Sequence, residues 1–224
     1  MDVLNTLAFV IFPYLALATF AVGHIHRYLT DPLGWNAHSS ELLDKDTLKY
    51  GITIFHWGIL LTLAGHAGGL LIPQRIYDAV GIDGQTHTKI AYYTGLLVGA
   101  AAFFGSILLF LRRLISRRVR ATTRLNDWLT LILLMFVIGA GLYNVVFGHH
   151  YVLETIAPWI RGIVVFTPDP TLMRGVPLSY KIHILSALAL LGFSPFSRLI
   201  HIWSAPLTYF ARSHLVFRRR VAPF

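Results

Sequence analysis

The apolar residues of this sequence fall into long blocks rather than into an alternating or amphipathic pattern. Five blocks are long enough for transmembrane helices, and they run from about Val3 to Gly23, Gly51 to Leu71, Ile90 to Leu111, Trp128 to Phe147 and Tyr180 to Trp203. A helix needs roughly 20 apolar residues to cross a bilayer, whereas a barrel strand needs about half that number. We therefore predict an all-α integral membrane bundle of five transmembrane helices, forming a single membrane domain over residues 1–224.

The composition agrees with a chain that lies mostly in lipid. Hydrophobic residues make up 55% of the 224 residues and charged residues only 13%, whereas about a quarter of a typical soluble domain is charged. The sequence contains no cysteine, which excludes disulfides, cysteine-ligated iron–sulfur clusters and a thiolate nucleophile within this chain. The longest loop outside the blocks, from Gly148 to Ser179, carries Trp159, and we predict a short interfacial helix there.

The net charge of +9 is concentrated in a few loops. Arginines cluster between the third and fourth blocks, from Arg112 to Arg124, and again near the C-terminus, from Arg212 to Arg220. Such loops face the cytoplasm in membrane proteins, which predicts an N-terminus outside and a cytoplasmic C-terminus. The same rule accounts for the basic charge, so we expect membrane lipid and no nucleic acid as a partner. The first block lacks the features of a cleaved signal peptide and is predicted to be a span.

Two of the blocks carry pairs of histidines. His56 and His66 lie in the second block, and His183 and His201 lie in the fifth. Ionisable residues inside a span are costly and usually functional, and imidazole is a good axial ligand of haem iron. Because the two helices run antiparallel, His56 should lie at the inner depth of His201, and His66 at the outer depth of His183. The pattern favours two b-type haems stacked across the membrane, each between one pair.

The two pairs have unequal spacings along the chain. Ten residues separate His56 from His66, or roughly 15 Å of helix. Eighteen separate His183 from His201, or roughly 27 Å. Pro195 lies between the latter two, and it is predicted to bend the fifth helix because proline interrupts the helical hydrogen bonds.

Other interpretations of these residues stay open from the sequence alone. A histidine in a span is often an interior polar residue or a member of a proton relay, so a proton-coupled transporter is the main rival. The lack of carboxylates in the middle of the spans weakens that rival. Small residues near the histidines, among them Gly65 and Gly69, would let a haem or quinol approach the backbone, or would serve close helix packing. Arg112, Arg113 and Arg198 could pair with haem propionates or act as ordinary anchors.

Four stretches of the sequence carry a resemblance to a known family. They are SPFSRLIHIWSAP at Ser194 to Pro206, FHWGILLTLAGHAGGLLIP at Phe55 to Pro73, SRRVRATT at Ser116 to Thr123 and HSSELL at His38 to Leu43. Together they resemble the gamma subunit, a di-haem cytochrome b, of membrane-bound respiratory nitrate reductase. His183 falls where that family has its remaining haem ligand, and the similarity extends in register over nearly the whole chain.

The resemblance implies the membrane subunit of a quinol:nitrate oxidoreductase in a prokaryotic plasma (inner) membrane. In the family, menaquinol or ubiquinol is oxidised near the outer haem, and its protons leave to the outside. Electrons pass through the inner haem to a cytoplasmic beta subunit with iron–sulfur clusters, and then to an alpha subunit with molybdenum that reduces nitrate to nitrite. A related di-haem cytochrome b of a sulfur-metabolism or heterodisulfide-type complex is the second hypothesis, although the motif at Ser194 to Pro206 favours nitrate.

The resemblance also indicates where quinol would bind. The family has a lysine at the start of the third span, and this sequence has His87 there with Lys89 two residues further on. Either side chain would be able to hydrogen-bond a quinol oxygen and take its proton. Both could equally be solvated loop residues.

Overall fold

The computed structural model describes residues 3–31, 35, 46–148 and 152–204. The helices in these ranges are α1 (Val3–Thr30), α2 (Asp46–His66), α3 (Gln74–Ala79), α4 (Gly84–Ile115), α5 (Arg117–Thr122), α6 (Leu125–Phe147), α7 (Ile156–Val164) and α8 (Leu178–Phe193). A π-helical turn, Ala67–Leu71, extends α2 without a break. Two 3₁₀ turns follow α8, at Ser194–Phe196 and at Arg198–Ile202, and we call the second one the His201 turn. The HSSELL motif at His38 to Leu43 lies outside the described residues, as do both chain ends.

Five of the described helices are long and apolar enough to cross a membrane, which confirms the helical prediction. They are α1, α2 with its π turn, α4, α6 and α8 with its first 3₁₀ turn. α1 continues past Gly23 to Thr30, and α4 begins at Gly84 rather than at Ile90. These extra turns hold polar residues, so apolar blocks alone could not show them.

The fifth span ends earlier than Trp203, so the predicted boundary is wrong. α8 stops at Phe193. Pro195 has no N–H with which to continue the helical ladder, and Ser197 has an extended backbone with φ −124° and ψ 179°. The bend predicted at Pro195 is therefore a complete helix end, which removes the excess length of the fifth span.

α2 and α4 touch backbone to backbone. A Cβ added at Gly58 would lie 2.4 Å from the backbone nitrogen of Ala102, and one added at Gly105 would lie 2.5 Å from that of Phe55. Real Cβ atoms do not approach so closely, so only glycine fits at these two positions. Small residues commonly permit such close contacts between membrane helices.

The remaining spans pack around this pair. One buried apolar cluster joins α2, α4, α6 and α8 and consists of Phe55, Ala102, Leu134, Val137, Ile138 and Leu190. α1 lies against α8, where a Cβ added at Gly192 would meet Ala16 at 3.4 Å. Its far end meets the turn after α8, since a Cβ at Gly23 would lie 2.8 Å from Pro195.

α7 is the short helix that the sequence predicts in the loop between the fourth and fifth spans, and it ties α1 to α2. Trp159 is only 1% exposed, and its Nε1–H donates to the carbonyl of Phe9 at 2.8 Å. Phe9 lies in a π-helical stretch of α1, Leu7–Ile11. Pro13, four residues after Phe9, has no N–H to donate to that carbonyl, and the indole supplies a donor there. The Arg161 guanidinium donates to the carbonyl of Leu70 in the π turn of α2 at 3.2 Å.

Trp159→Phe should destabilise the chain because it keeps the ring packing but leaves the Phe9 carbonyl without the indole donor. A buried polar group without a partner costs about 1–3 kcal/mol. The free energy of unfolding in mixed detergent micelles would measure the loss. Trp128→Phe is the matched control, because that ring packs edge-on against Phe110 with centroids 5.5 Å apart. Equal losses in the two variants would contradict the role given to the Trp159 hydrogen bond.

Candidate functional site

The four span histidines form two separate pairs in the fold. The ring centroids of His56 and His201 are 6.0 Å apart, and those of His66 and His183 are 6.1 Å apart. The structure thus brings together the same partners that their depths in antiparallel spans suggest. His66 and His201 are exposed in the protein alone, and His56 and His183 are half-buried.

All four histidines use the same ring nitrogen, Nδ1, to bond the backbone. Each Nδ1 lies within hydrogen-bond distance of a backbone carbonyl oxygen: Ile52 for His56 (2.8 Å), Thr62 for His66 (2.8 Å), Val137 for His183 (3.0 Å) and Arg198 for His201 (2.6 Å). A carbonyl oxygen only accepts, so the proton must lie on Nδ1, which donates it. Nε2 then keeps its lone pair, which is the state in which a neutral imidazole binds a metal.

The spacing of the rings fits one metal between the two members of each pair. A metal–imidazole bond is about 2 Å long, so two imidazoles on opposite sides of one iron have ring centroids roughly 6 Å apart. Within the described residues, no group of three or more His, Asp or Glu side chains could hold a bare metal ion. Haem supplies four nitrogens of its own and needs only two axial ligands, so the residues present fit haem.

The ligand candidates are supported by different kinds of structure. His56 and His66 lie on α2, and His183 lies on α8. His201 lies on the short His201 turn beyond the end of α8. A ligand on a turn is held less firmly than one on a regular helix, so its position depends more on neighbouring contacts.

The glycines near the α2 histidines do not share one role. Gly58 packs against α4, so its role is close helix packing. A Cβ added at Gly65 would meet no described atom within 4 Å, and one added at Gly69 would lie 3.8 Å from Nε2 of His87. A Cβ at Gly65 would thus meet open space, and Gly69 lies at ordinary contact distance from His87.

The two expected quinol contacts differ in their surroundings. His87 is 8% exposed and stacks on Tyr77 with ring centroids 4.5 Å apart. Its Nδ1 is buried, and no described residue offers it a hydrogen bond. Lys89 is exposed on the same helix. A buried nitrogen without a protein partner requires an explanation, and a bound substrate oxygen would give one at His87 but not at Lys89.

The sequence matches the family described as "Nitrate reductase gamma subunit" over residues 5–220. This chain belongs to that family. The nitrate reductase gamma chain of Bacillus subtilis (strain 168) is 43% identical over 94% of this chain and 96% of its own length. The respiratory nitrate reductase 1 gamma chain of Escherichia coli (strain K12) is 35% identical over 98% of this chain and all of its own length. The resemblance stated from four motifs is confirmed.

A third relative is arranged differently. The nitrate reductase-like protein NarX of Mycobacterium tuberculosis (strain ATCC 25618 / H37Rv) is 35% identical over 98% of this chain, but the match spans only 34% of NarX. The gamma-family sequence therefore also occurs as one part of a longer polypeptide. This chain is a membrane subunit of the nitrate reductase type, and its five spans agree with that assignment.

A charged group at the arginine-rich end of the bundle in this gamma-family chain was not predicted from the sequence. The Asp127 carboxylate accepts from Nε and, at 3.2 Å, from the second terminal nitrogen of Arg198, and it lies 4.0 Å from the guanidinium of Arg113. Two of the three arginines considered for haem propionates are therefore already held by a carboxylate. Asp127 is far from both arginines in sequence, so no local pattern could reveal the group.

Gly141→Ala should disturb the pair formed by His66 and His183. The added Cβ would lie 2.8 Å from Cε1 of His183, so the ring must move away from the Val137 carbonyl that orients it. Overpacking of this kind typically costs about 1–3 kcal/mol. We expect about half of the b-type haem to be lost, measured as pyridine haemochrome per chain.

Gly95→Ala is the matched control on another span. Its added Cβ would meet Val145 Cγ2 at 3.6 Å, an ordinary contact. This variant should keep its haem content. The same haem content in both variants would show that Gly141 does not constrain His183.

Proposed function

We propose that this chain is the di-haem cytochrome b subunit of a respiratory nitrate reductase in a prokaryotic plasma (inner) membrane. The observation that carries the proposal is the pair of histidine sites, each with rings about 6 Å apart and each with Nδ1 bonded to a carbonyl. Membership of the gamma family supports the nitrate reductase part. A proton-coupled transporter would have no need for four imidazoles that all keep Nε2 for a metal.

His66 and His183 would hold the outer haem, and His56 and His201 the inner one. Two b haems, when bound, supply one-electron transfer along the membrane normal. The chain's own contribution is to fix the ligands, since every Nδ1–H bond sets the tautomer and the ring direction. The two positions on each helix also hold the two sites at different depths.

His87 is proposed as the side chain that binds a quinol oxygen and accepts its proton on the outer side. It lies one turn past the cap of α4 and against Gly69, which follows His66 by three residues. Burial keeps His87 away from bulk water, while Lys89 is exposed and better suited to a supporting role. Menaquinol and ubiquinol both carry the phenolic oxygen that such a contact requires.

The orientation of the chain is proposed from its charges. Arg113, Arg198 and the arginines of α5 lie at the same end of the bundle as His201. That end would face the cytoplasm by the positive-inside rule, which puts the N-terminus outside. Electrons would leave there to an iron–sulfur beta subunit and a molybdenum alpha subunit, while protons are released on the other side and a membrane potential is formed.

Substituting single ligands should remove one haem at a time. His66→Ala or His183→Ala should lose the outer haem alone, and His56→Ala or His201→Ala the inner one alone, because each change removes one of the two imidazoles that would hold that haem. Haem per chain and the low-spin EPR signals of the purified subunit would show which site is lost. His26→Ala, an exposed histidine of α1, is the control and should keep both. If the wild-type chain has no dithionite-reducible b-type haem, the proposed function is wrong.

His87→Phe should slow quinol oxidation while sparing both haems. Phenylalanine keeps the stacking on Tyr77 but removes both ring nitrogens, and the loss of a general base typically lowers a rate by about 10²-fold or more. The measurement is haem reduction by added quinol in membranes, with dithionite reduction as the check on haem content. Lys89→Gln is the matched control and should stay within a few-fold of wild type. A larger loss of rate in Lys89→Gln than in His87→Phe would show that His87 is not the proton acceptor.

A further inference from the structure

We propose that Asp127 is a positioning residue for the inner haem ligand His201, acting through Arg198. The inference rests on the proposed function, because it concerns how this chain holds one of the two haems. Asp127 is far from His201 along the chain, so the sequence alone does not connect the two residues.

His201 depends on the exact position of one peptide group. Its Nδ1–H donates to the carbonyl of Arg198 at 2.6 Å. That carbonyl belongs to the His201 turn, a short 3₁₀ segment that follows the 3₁₀ turn Ser194–Phe196 instead of continuing α8. If the backbone at Arg198 moves, the imidazole of His201 must move or turn with it.

Asp127 fixes the side chain of the same residue. It is 7% exposed and lies in the first turn of α6. Its two oxygens accept from two nitrogens along one edge of the Arg198 guanidinium, and one of them also accepts from the backbone N–H of Arg124 at 3.0 Å. A bidentate carboxylate–guanidinium pair fixes direction as well as distance. The His201 turn is thereby attached to the start of a spanning helix.

Two neighbouring hydrogen bonds also hold the backbone that leads into the His201 turn. The side-chain amide of Asn126 donates to the carbonyl of Phe196, two residues before Arg198. On the other side, the Arg27 guanidinium of α1 donates to the carbonyl of Pro195 at 2.9 Å. The segment that precedes His201 is thus held from α6 and α1, and Asp127 holds the side chain of the residue whose carbonyl orients His201.

The charge of Asp127 is needed as well as its shape. Its carboxylate lies between two guanidinium groups, those of Arg113 and Arg198. Without the negative charge the two cations would face each other in a partly buried place, and breaking a buried ion pair is strongly unfavourable. Arg198 is the more exposed of the two arginines. Its side chain would turn outward, and the His201 turn would be displaced.

The experiment compares Asp127→Asn, Arg198→Gln and the double variant in the complete membrane complex. Loss of a residue that orients a metal ligand typically weakens metal binding by about 10–100-fold. We expect the inner haem to bind at least about 10-fold more weakly, with an altered EPR signal and midpoint potential for any inner haem that remains. The outer haem should be unchanged. The double variant should be no worse than either single one, because both residues act through one contact.

Two further variants separate positioning from general damage. Asp127→Glu keeps the charge and should recover much of the inner haem. Asp169→Asn removes another capping carboxylate, at the 3₁₀ turn Pro170–Met173, and should leave both haems in place. An unchanged inner haem in Asp127→Asn, or equal loss of both haems, would overturn the inference. A wild-type chain without haem would instead overturn the proposed function on which it rests.

Discussion

The contact between α2 and α4 fixes the rotation of the helix that carries one histidine of each pair. Gly58 and Gly105 allow the two backbones to touch, so one face of α2 is committed to α4. Gly58 follows His56 by two residues, or about 200° around the helix, which puts the histidine on the opposite side. The close packing of one face therefore determines where the other face points. The buried cluster that contains Phe55 and Ala102 then packs α6 and α8 against this pair of helices.

Much of this arrangement could be predicted from the sequence because it follows from hydrophobicity and spacing. Apolar blocks identified five spans, and the positions of four histidines within them indicated which would be paired. The unequal spacings also located a disturbance at Pro195. They could not show its form, since a proline is compatible with a kinked helix or with a helix end. The structure has the end, at Phe193, because Ser197 adopts an extended backbone that the sequence does not dictate.

The contacts that orient the four histidines divide into local and tertiary ones, and only the first kind leaves a trace in the sequence. His56 and His66 each donate to the carbonyl four residues earlier on α2, so their orientation comes with the helix itself. His183 donates to Val137 on α6, a residue far away in the chain. His201 donates within its own turn, but Asp127 and Asn126 of α6 hold that turn. No periodicity links these positions.

α6 therefore contacts His183 directly and also holds the turn that carries His201, although it carries no histidine in the described structure. The two histidines of α2 are supported by their own helix, whereas those of α8 and the turn after it are supported by a neighbour. The difference has a physical origin in Pro195, because ending the helix there lets His201 reach the depth of His56 but removes the regular backbone that would have held it. Shortening the span and supporting the turn are thus two parts of one requirement. A segment without any candidate ligand can matter as much for the site as the segments that carry the candidates.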